Sequence, residues 1–506
     1  MVALLAIAIY LRTMMPSTGF WDTGEAQTVP HTLSIFHPTG FPVYAMLGWL
    51  WSQLPIGEVA WRMNLLSGAC VAISAGLVVL IAGHLIAERH RPLRATAAGI
   101  AGAAFAFASE PWENATRADV HALNVLFVAL IVWLLLCWRA AEREGSPQAG
   151  RWLVASAAAF GLGIGAHPLV GLTAFGIGAW LLVVDRHLWR RWPLVIACAG
   201  VLALGLATYG FIYLRAISDP APPLFYAHPD TWERFRYLVF AEQFHDLFED
   251  FGEPLAQFWA KWNGAERVLA AQFAVPGWLL VAVGTAVLAV RQPGAVAFLG
   301  LIVVANVVYA VNFRDGDIDR YYLPTTVVAS ALLGVAVAAV GAAVARAVAE
   351  VGRGVTTPAA RRRLANFAGG MALLLATGLP SASLLAGYGA HDQSQNRDAD
   401  LWVASVYEHL PPNAVVVSWW SYSTPLWYHR WVLGERPDVT IIDERNILDD
   451  GYRTMRNAIR SQFGERPVFV VPPDWEYERL TEQWRYRTVN TYPGYTDLLF
   501  IEGIRQ

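Results

Sequence analysis

Residues 20–42 read FWDTGEAQTVPHTLSIFHPTGFP, which sets Asp22, Glu25, His31 and His37 directly after one apolar segment and just before another. Carboxylates and histidines at the mouth of a membrane span are costly unless they do chemistry there, so the run points to an active or binding site at a bilayer surface. The surrounding composition agrees. The 506-residue chain is 56% hydrophobic and only 15% charged, with a mean hydropathy of +0.38, far more apolar than a soluble protein of this length. It reads as a polytopic membrane protein. A formal net charge of -3 leaves no basic field for nucleic acid. Cys70, Cys137 and Cys198 all fall in apolar runs without metal-ligand spacing, so neither a disulfide framework nor a zinc site is expected.

Working outward, apolar stretches of bilayer-spanning length lie at about 1–15, 61–87, 95–109, 120–138, 152–166, 169–184, 193–214, 268–290, 294–312, 322–345 and 365–386, an expected eleven transmembrane helices. Arginine orients them, because cytoplasmic loops retain basic residues. Arg89, Arg91 and Arg94 follow the second stretch, Arg139, Arg143 and Arg151 the fourth, Arg186, Arg190 and Arg191 the sixth, and Arg361, Arg362 and Arg363 the tenth. The N-terminus is then cytoplasmic, and the FWDTGE loop, the segment from Arg215 to about Glu266, and the C-terminal tail are extracytoplasmic. A signal peptide is the alternative for the first stretch, but no small-residue cleavage site precedes the acidic motif, so a retained helix is expected. The fifth and sixth spans meet at GIGAHPLVG, where His167 and Pro168 should mark a tight hairpin. Lys261 is the only lysine beside many arginines and alanines, a bias typical of a GC-rich bacterial genome and hence of a bacterial inner or plasma membrane.

Residues 1–389 thus form the membrane part, and residues 390–506 change character. AVVVSWW, DVTIIDE, PVFVVP and DLLFIEG are short β-branched runs separated by helical stretches such as LWVASVYEHL and YRTMRNAIRSQF. Such alternation predicts a small parallel α/β domain outside the membrane. No glycine-rich phosphate loop follows its first strand, which argues against a dinucleotide site.

Four polar clusters project to the outer face. Asp22 and Glu25, three apart, share a face if a helix begins there; one could take a proton while the other orients it, and with His37 they could hold a divalent cation. Plain helix capping, Asp22 first and Glu25 as its partner, fits the same spacing. His31 and His37 could merely satisfy loop carbonyls. In ENATRADVHALN, Glu113 and Arg117 suit a helix-end ion pair, while Asp119 and His121 should sit near headgroup depth. Arg215 ends the seventh span, where it could snorkel or grip a lipid phosphate through paired bonds. Trp232, Phe235 and Tyr237 suggest interfacial helices. In RDGDIDRYYLP, Asp315, Asp317 and Asp319 alternate, but the glycine position and the missing terminal glutamate argue against a calcium loop.

Taken together, FWDTGE with HPTGFPVY, EVAWRMNLLSG, ADVHALN, GLGIGAHPLVGL, HPDTWERF with AEQF, GDIDRYYLP and VVVSWWSYSTPLWYHRWVLGERPDVT make the chain resemble glycosyltransferase family 117, the transmembrane protein 260-like protein O-mannosyltransferases. It departs from the family at Asp119 and His121, where a glutamate and a tyrosine are commoner, and at Thr39, where a second proline is. The resemblance implies a glycosyltransferase-C fold, a polyprenyl-phosphate sugar entering from the bilayer, and a protein, lipid or glycan acceptor from the outer aqueous side. On that reading transfer is single-step and inverting. Asp22 is the base, Glu25 and His37 position the acceptor or sugar, and Arg215 with Arg117 stabilises the departing phosphate. The same motifs add Asp119, His121, His167, Gln243, Asp319 and Arg320 as substrate-binding residues; no firm cofactor is implied.

A transporter or flippase is the competing class, since many spans with buried charge also describe a substrate path. Against it, the halves show no inverted repeat and the polar residues sit at one mouth, not the midplane. An assembly factor using its tail as a binding module would show no turnover. The arginine pattern makes a direct prediction: a cysteine placed in the tail beyond Ala390 should react with an impermeant thiol reagent added from outside, and one near Arg362 should not. The opposite labelling pattern would invert the orientation.

Overall fold

The computed structural model describes residues 1–506 apart from 89, 248–254, 315, 354–356, 448–449 and 506, and apart from the side chains of 255–261, 263–264 and 474. Arg89 and Asp315 therefore lie outside the described residues. The chain opens with α1 (Val2–Thr13), α2 (Trp21–Thr32), α3 (Pro42–Ser52), α4 (Val59–Leu85), α5 (Arg91–Ala106), α6 (Ser109–Thr116) and α7 (Val120–Arg143). Next come α8 (Ala149–Ala166), α9 (Ala174–Val184), α10 (Trp192–Leu206), α11 (Gly210–Ala216) and α12 (Trp232–Val239). The helical part closes with α13 (Leu255–Arg291), α14 (Pro293–Val311), α15 (Leu323–Val351), α16 (Pro358–Ala376) and α17 (Gly378–His391).

Proline marks many of these starts. Pro42, Pro92, Pro193, Pro293, Pro324 and Pro358 each stand in the first turn of a helix, where the missing N–H has no partner to lose. Every apolar stretch read from the sequence falls on helix. Eight helical segments are long and apolar enough to cross a membrane among the described residues. The stretches at 1–15, 95–109 and 169–184 form shorter helices, so eight of the eleven expected spans meet that length and composition. Leu204 on α10 and Leu385 on α17 are 73% and 80% exposed, as befits helices whose solvent is hydrocarbon. At His167 the expected tight hairpin is instead a divergence: α8 packs on α7 and α10, whereas α9 packs on α14, because a 3-10 turn over Pro168–Thr173 separates them.

Beyond α17 come α18 (Asp398–His409), β1 (Val415–Ser418), α19 (Trp420–Trp431), β2 (Thr440–Asp443), α20 (Met455–Gln462), β3 (Val468–Val471), α21 (Asp474–Gln483), β4 (Trp484–Val489) and β5 (Leu498–Ile504). The sheet order is β2-β1-β3-β5-β4. β1 runs parallel to β2 and β3, but β5 is antiparallel to both β3 and β4, so the sheet is mixed and not wholly parallel. β4 went unread in the sequence because it is an edge strand whose Arg485 and Arg487 break the apolar run. A hairpin-like return from β4 can only deliver an antiparallel β5.

The tail docks on the segment that leads into α2. Phe20 stacks on Tyr495 at 4.9 Å and meets Tyr422 and Trp402 edge-on, while the Ala60 N–H donates to the Tyr428 hydroxyl at 2.9 Å. α19 packs on α2, and Gly24 allows it. A Cβ there would stand 2.5 Å from the Gly19 carbonyl oxygen and 3.0 Å from the Thr424 carbonyl carbon, both backbone atoms that cannot swing aside. Gly24→Ala should therefore cost about 1–3 kcal/mol through forced backbone shifts. Gly99→Ala, in α5 with nothing within 4 Å, should instead gain up to about 1 kcal/mol from helix propensity. Thermal unfolding of both purified variants in one detergent checks the pair; equal midpoints would remove the packing argument.

Candidate active site

Asp22 and Glu25 lie in the first turns of α2, whose N-cap is Phe20 and makes no side-chain capping bond. Capping is thus not what the two carboxylates do. Asp22 Oδ2 receives Arg320 Nη2 at 2.7 Å, and its Oδ1 receives Trp420 Nε1 at 3.1 Å. The other prong of Arg320, Nη1, reaches Asp119 Oδ2 at 3.1 Å. Asp119 is the N-cap of α7 and accepts from the His121 N–H at 2.7 Å. One guanidinium therefore ties α2, α7 and the 3-10 turn Ile318–Tyr322 together, and the indole of α19 closes the ring from the tail. Burial pushes the Asp22 carboxyl up, but Arg320, with His37 and Arg445 beyond it, outweighs that and holds it well below the usual carboxylate range.

Glu25 is buried and faces inward. Its carboxylate accepts from the His37 backbone N–H at 2.9 Å and forms a very short contact with His37 Nδ1. Burial pushes the imidazole down, yet the adjacent Glu25 carboxylate raises His37 above its ordinary value. Ligand atoms of Asp22, Glu25 and His37 lie within 4.8 Å of one another, the spacing a shared cation needs. Each is already engaged, however: Glu25 with His37 through both oxygens, and Asp22 with a guanidinium that would stand beside a bound dication. The trio as arranged does not fit a divalent ion.

These groups open on a cavity of about 910 Å³ lined by Asp22, His37, His121, His167, Arg320 and Tyr321, and by apolar Val239, Phe240, Phe244, Leu247 and Phe313. His121 and His167 are in ring contact at 4.4 Å. His167 Nδ1 accepts from the Leu169 N–H at 3.2 Å, which sets its neutral proton on Nε2, while His121 Nδ1 is buried without a hydrogen-bond partner among the described residues. The tail supplies the remaining wall with Trp419, Trp420, Glu444, Arg445 and Trp475. These follow β1, β2 and β3 in turn, so the carboxyl ends of the three parallel strands face the cavity. That is where open α/β sheets gather ligand-binding residues.

Sequence reasoning missed Arg445. Its guanidinium lies over the Trp420 ring at 4.3 Å and has no ion-pair partner among the described residues. The polar run DERN directly after a β-branched strand was the available signal. Six expected residues do not line the cavity. Arg117 pairs with Glu113 at 2.9 Å on the surface. Arg215 donates to the Leu33 carbonyl at 2.7 Å and to the Pro220 carbonyl at 3.3 Å, bracing the left-handed end of α2. Gln243 is engaged with the Tyr226 hydroxyl at 2.8 Å behind Trp420. Asp319 is exposed near Glu113 and Asp317, outside the lining. Glu25 and Asp119 act one layer back, holding His37 and Arg320. His31 bonds Ser52 Oγ at 3.1 Å and takes the bland role.

Residues 22–192 match the family model described as Protein O-mannosyl-transferase TMEM260 N-terminal domain. A mouse (Mus musculus) relative, "Protein O-mannosyl-transferase TMEM260", is 32% identical over 159 residues, 31% of this chain and 21% of its own length; the chain thus spans about a fifth of that relative. Among solved structures, ArnT from Cupriavidus metallidurans in the apo state superposes with a TM-score of 0.58 at 16% identity, covering 98% of this chain and 96% of that one. The form of ArnT bound to undecaprenyl phosphate scores 0.57 at 15% identity, with the same coverage. The fold is the one these two structures have. It is shared over nearly the whole chain, tail included, and it belongs to an integral membrane protein.

The ion triad makes a stability prediction. Arg320→Ala leaves Asp119 buried and unpaired, which should cost about 3–5 kcal/mol. Adding Asp119→Asn should recover most of that loss. Thermal unfolding in detergent reads both; a single variant as stable as the parent would mean that the guanidinium does not hold these elements together.

Proposed function

We propose that the chain is a membrane glycosyltransferase that moves a hexose, mannose being the first candidate, from a polyprenyl-phosphate donor to an acceptor hydroxyl on the extracytoplasmic face of a bacterial inner or plasma membrane. The observation that carries this is the mixed lining of one cavity, with carboxylates, guanidinium and imidazole groups and a run of aromatic and aliphatic side chains. A ligand with a sugar-phosphate head and a hydrocarbon tail needs that combination. The partial match to O-mannosyltransferases and the fold shared with a protein solved with undecaprenyl phosphate support the same reading.

The chemistry follows from the charges. In a single in-line displacement the anomeric carbon–phosphate oxygen bond breaks as the acceptor oxygen bonds to that carbon, the acceptor proton passes to Asp22, and the phosphate leaves on its lipid. Arg320 lowers the basicity of Asp22 but keeps it ionised at every working pH. The hydroxyl becomes acidic enough to lose its proton only as it bonds to carbon, so a weak base that is always ionised suffices. Arg445 and His37 stabilise the departing phosphate, the role first expected of Arg215 and Arg117. Glu25 positions His37. A transporter would need no such fixed base beside a phosphate site, and its substrate residues would lie near midplane.

Release of labelled hexose from polyprenyl-phosphate mannose by the purified full chain tests this. Asp22→Asn should lower the rate about a hundredfold or more, and Arg445→Ala should cost about 2–4 kcal/mol in transition-state stabilisation. Arg117→Ala should stay within about threefold, as expected of an exposed ion pair, and EDTA should leave the rate unchanged. Full activity in well-folded Asp22→Asn would reject the base, and loss with EDTA restored by a divalent ion would reject arginine as the phosphate partner.

A further inference from the structure

His429 stands where three helices are fastened together. It lies in the last turn of α19 and is only 6% exposed, and each of its ring nitrogens faces a carboxylate. Nε2 is 3.3 Å from Asp400 Oδ1, and Nδ1 is 2.8 Å from Glu435 Oε2. Asp400 sits in the first turn of α18. Glu435 comes back to the ring because Gly434 takes a left-handed φ of +74° and the Glu435 N–H donates to the His429 carbonyl at 2.9 Å. The preceding residue ties the same end of α19 to the helical part, since the Tyr428 hydroxyl accepts from the Ala60 N–H in the first turn of α4. The joint therefore links α18, α19 and α4, and α19 is the element that brings Trp420 to Asp22.

The pairing needs two ring protons. A carboxylate only accepts, and a neutral imidazole carries a single N–H. With a carboxylate on each nitrogen, the neutral ring bonds one and turns a lone pair on the other; the imidazolium alone bonds both. The helix ends favour the same charges, a cation at the C-terminus of α19 and an anion at the N-terminus of α18. Burial pushes the imidazole down, yet Asp400 and Glu435 together raise His429 above its ordinary value. The other charged and titratable groups around the joint are Tyr407 of α18, whose ring is 6.3 Å away, Glu58 and Arg62 near the Tyr428 hydroxyl, Arg430 stacked over Trp431 at 4.5 Å, and Arg436 paired with Asp438 at 2.9 Å. α2 and β2 bring Asp22 and Asp443 to the opposite end of α19, at Trp420 and Ser423. A histidine raised by folding adds stability that is complete below its ordinary value of about 6.5 and is lost as pH rises through the raised one.

We propose that His429 is a proton-dependent latch of the tail, holding α18 to α19 while both ring nitrogens are protonated and releasing Asp400 in alkaline medium. The shorter Glu435 contact keeps the remaining N–H. Trp419, Trp420, Glu444 and Arg445 of the same tail line the large cavity, so the latch governs how firmly that wall is seated, and it stands whether or not the chain transfers a sugar. The test is hydrogen–deuterium exchange of residues 398–409 in the purified full chain at about pH 6 and about pH 9, read as protection after correction for the intrinsic rate. Protection in the parent should fall roughly tenfold between the two. In Asp400→Asn the new amide donates to Nε2 while Nδ1–H still serves Glu435, so the neutral ring is satisfied and protection should stay within about threefold. His429→Gln holds no titrating proton, so its protection should be lower than the parent's at the acid end and independent of pH. His37, raised by Glu25, titrates in all three chains and drops out of the comparison. Equal protection of the parent at both pH values, a fall in Asp400→Asn as large as the parent's, or a pH-dependent His429→Gln would each overturn the latch.

Discussion

Arg320 is the constraint on which the rest of the site depends. A guanidinium that is only 9% exposed must be paired, and its rigid fork demands two acceptors in one plane. Asp22 and Asp119 supply them from α2 and α7, nearly a hundred residues apart. Once they converge, the position of α2 is set, and so is the direction in which Trp21, Asp22 and His37 face. The cost of leaving Asp119 alone in the interior makes the arrangement cooperative, because no single member can leave without stranding a charge.

The same convergence makes the tail part of the site. Trp420 bonds the free oxygen of Asp22, Gly24 lets α19 approach α2 at backbone distance, and Phe20 is held in an aromatic nest of the tail. These contacts turn the carboxyl ends of β1, β2 and β3 toward the membrane helices. The result is a composite cavity, with acid and imidazole groups from the helical part and an arginine with four aromatic or acidic neighbours from the sheet. Neither part would form it by itself.

What could be read in advance follows from the range of each interaction. Apolar runs of bilayer length and first-turn prolines are local signals, so the helices of the membrane part were legible, as were β1, β2, β3 and β5 and the spacing that put Asp22 and Glu25 on one helix face. Short helices blur the count of crossings because composition reports burial in apolar surroundings and not which surroundings. β4 escaped because an edge strand keeps charged residues on its open side.

Side-chain partnership is different, since it depends on which distant segments meet. Sequence by itself determined that a cluster of carboxylates, histidines and arginines stands at the ends of apolar helices, because few other placements tolerate such groups beside lipid. It could not decide among the arginines. Arg117 and Arg215 sit in the expected motifs but are consumed by Glu113 and by carbonyls at the end of α2, whereas Arg445 lies 420 residues beyond the first motif and enters only through the docking of α19. The tertiary structure alone decided which cation faces the cavity, that Glu25 serves His37, and that Asp22 is held ionised. Each of those properties is set by a partner at hydrogen-bond distance, and no local pattern in the chain encodes that distance.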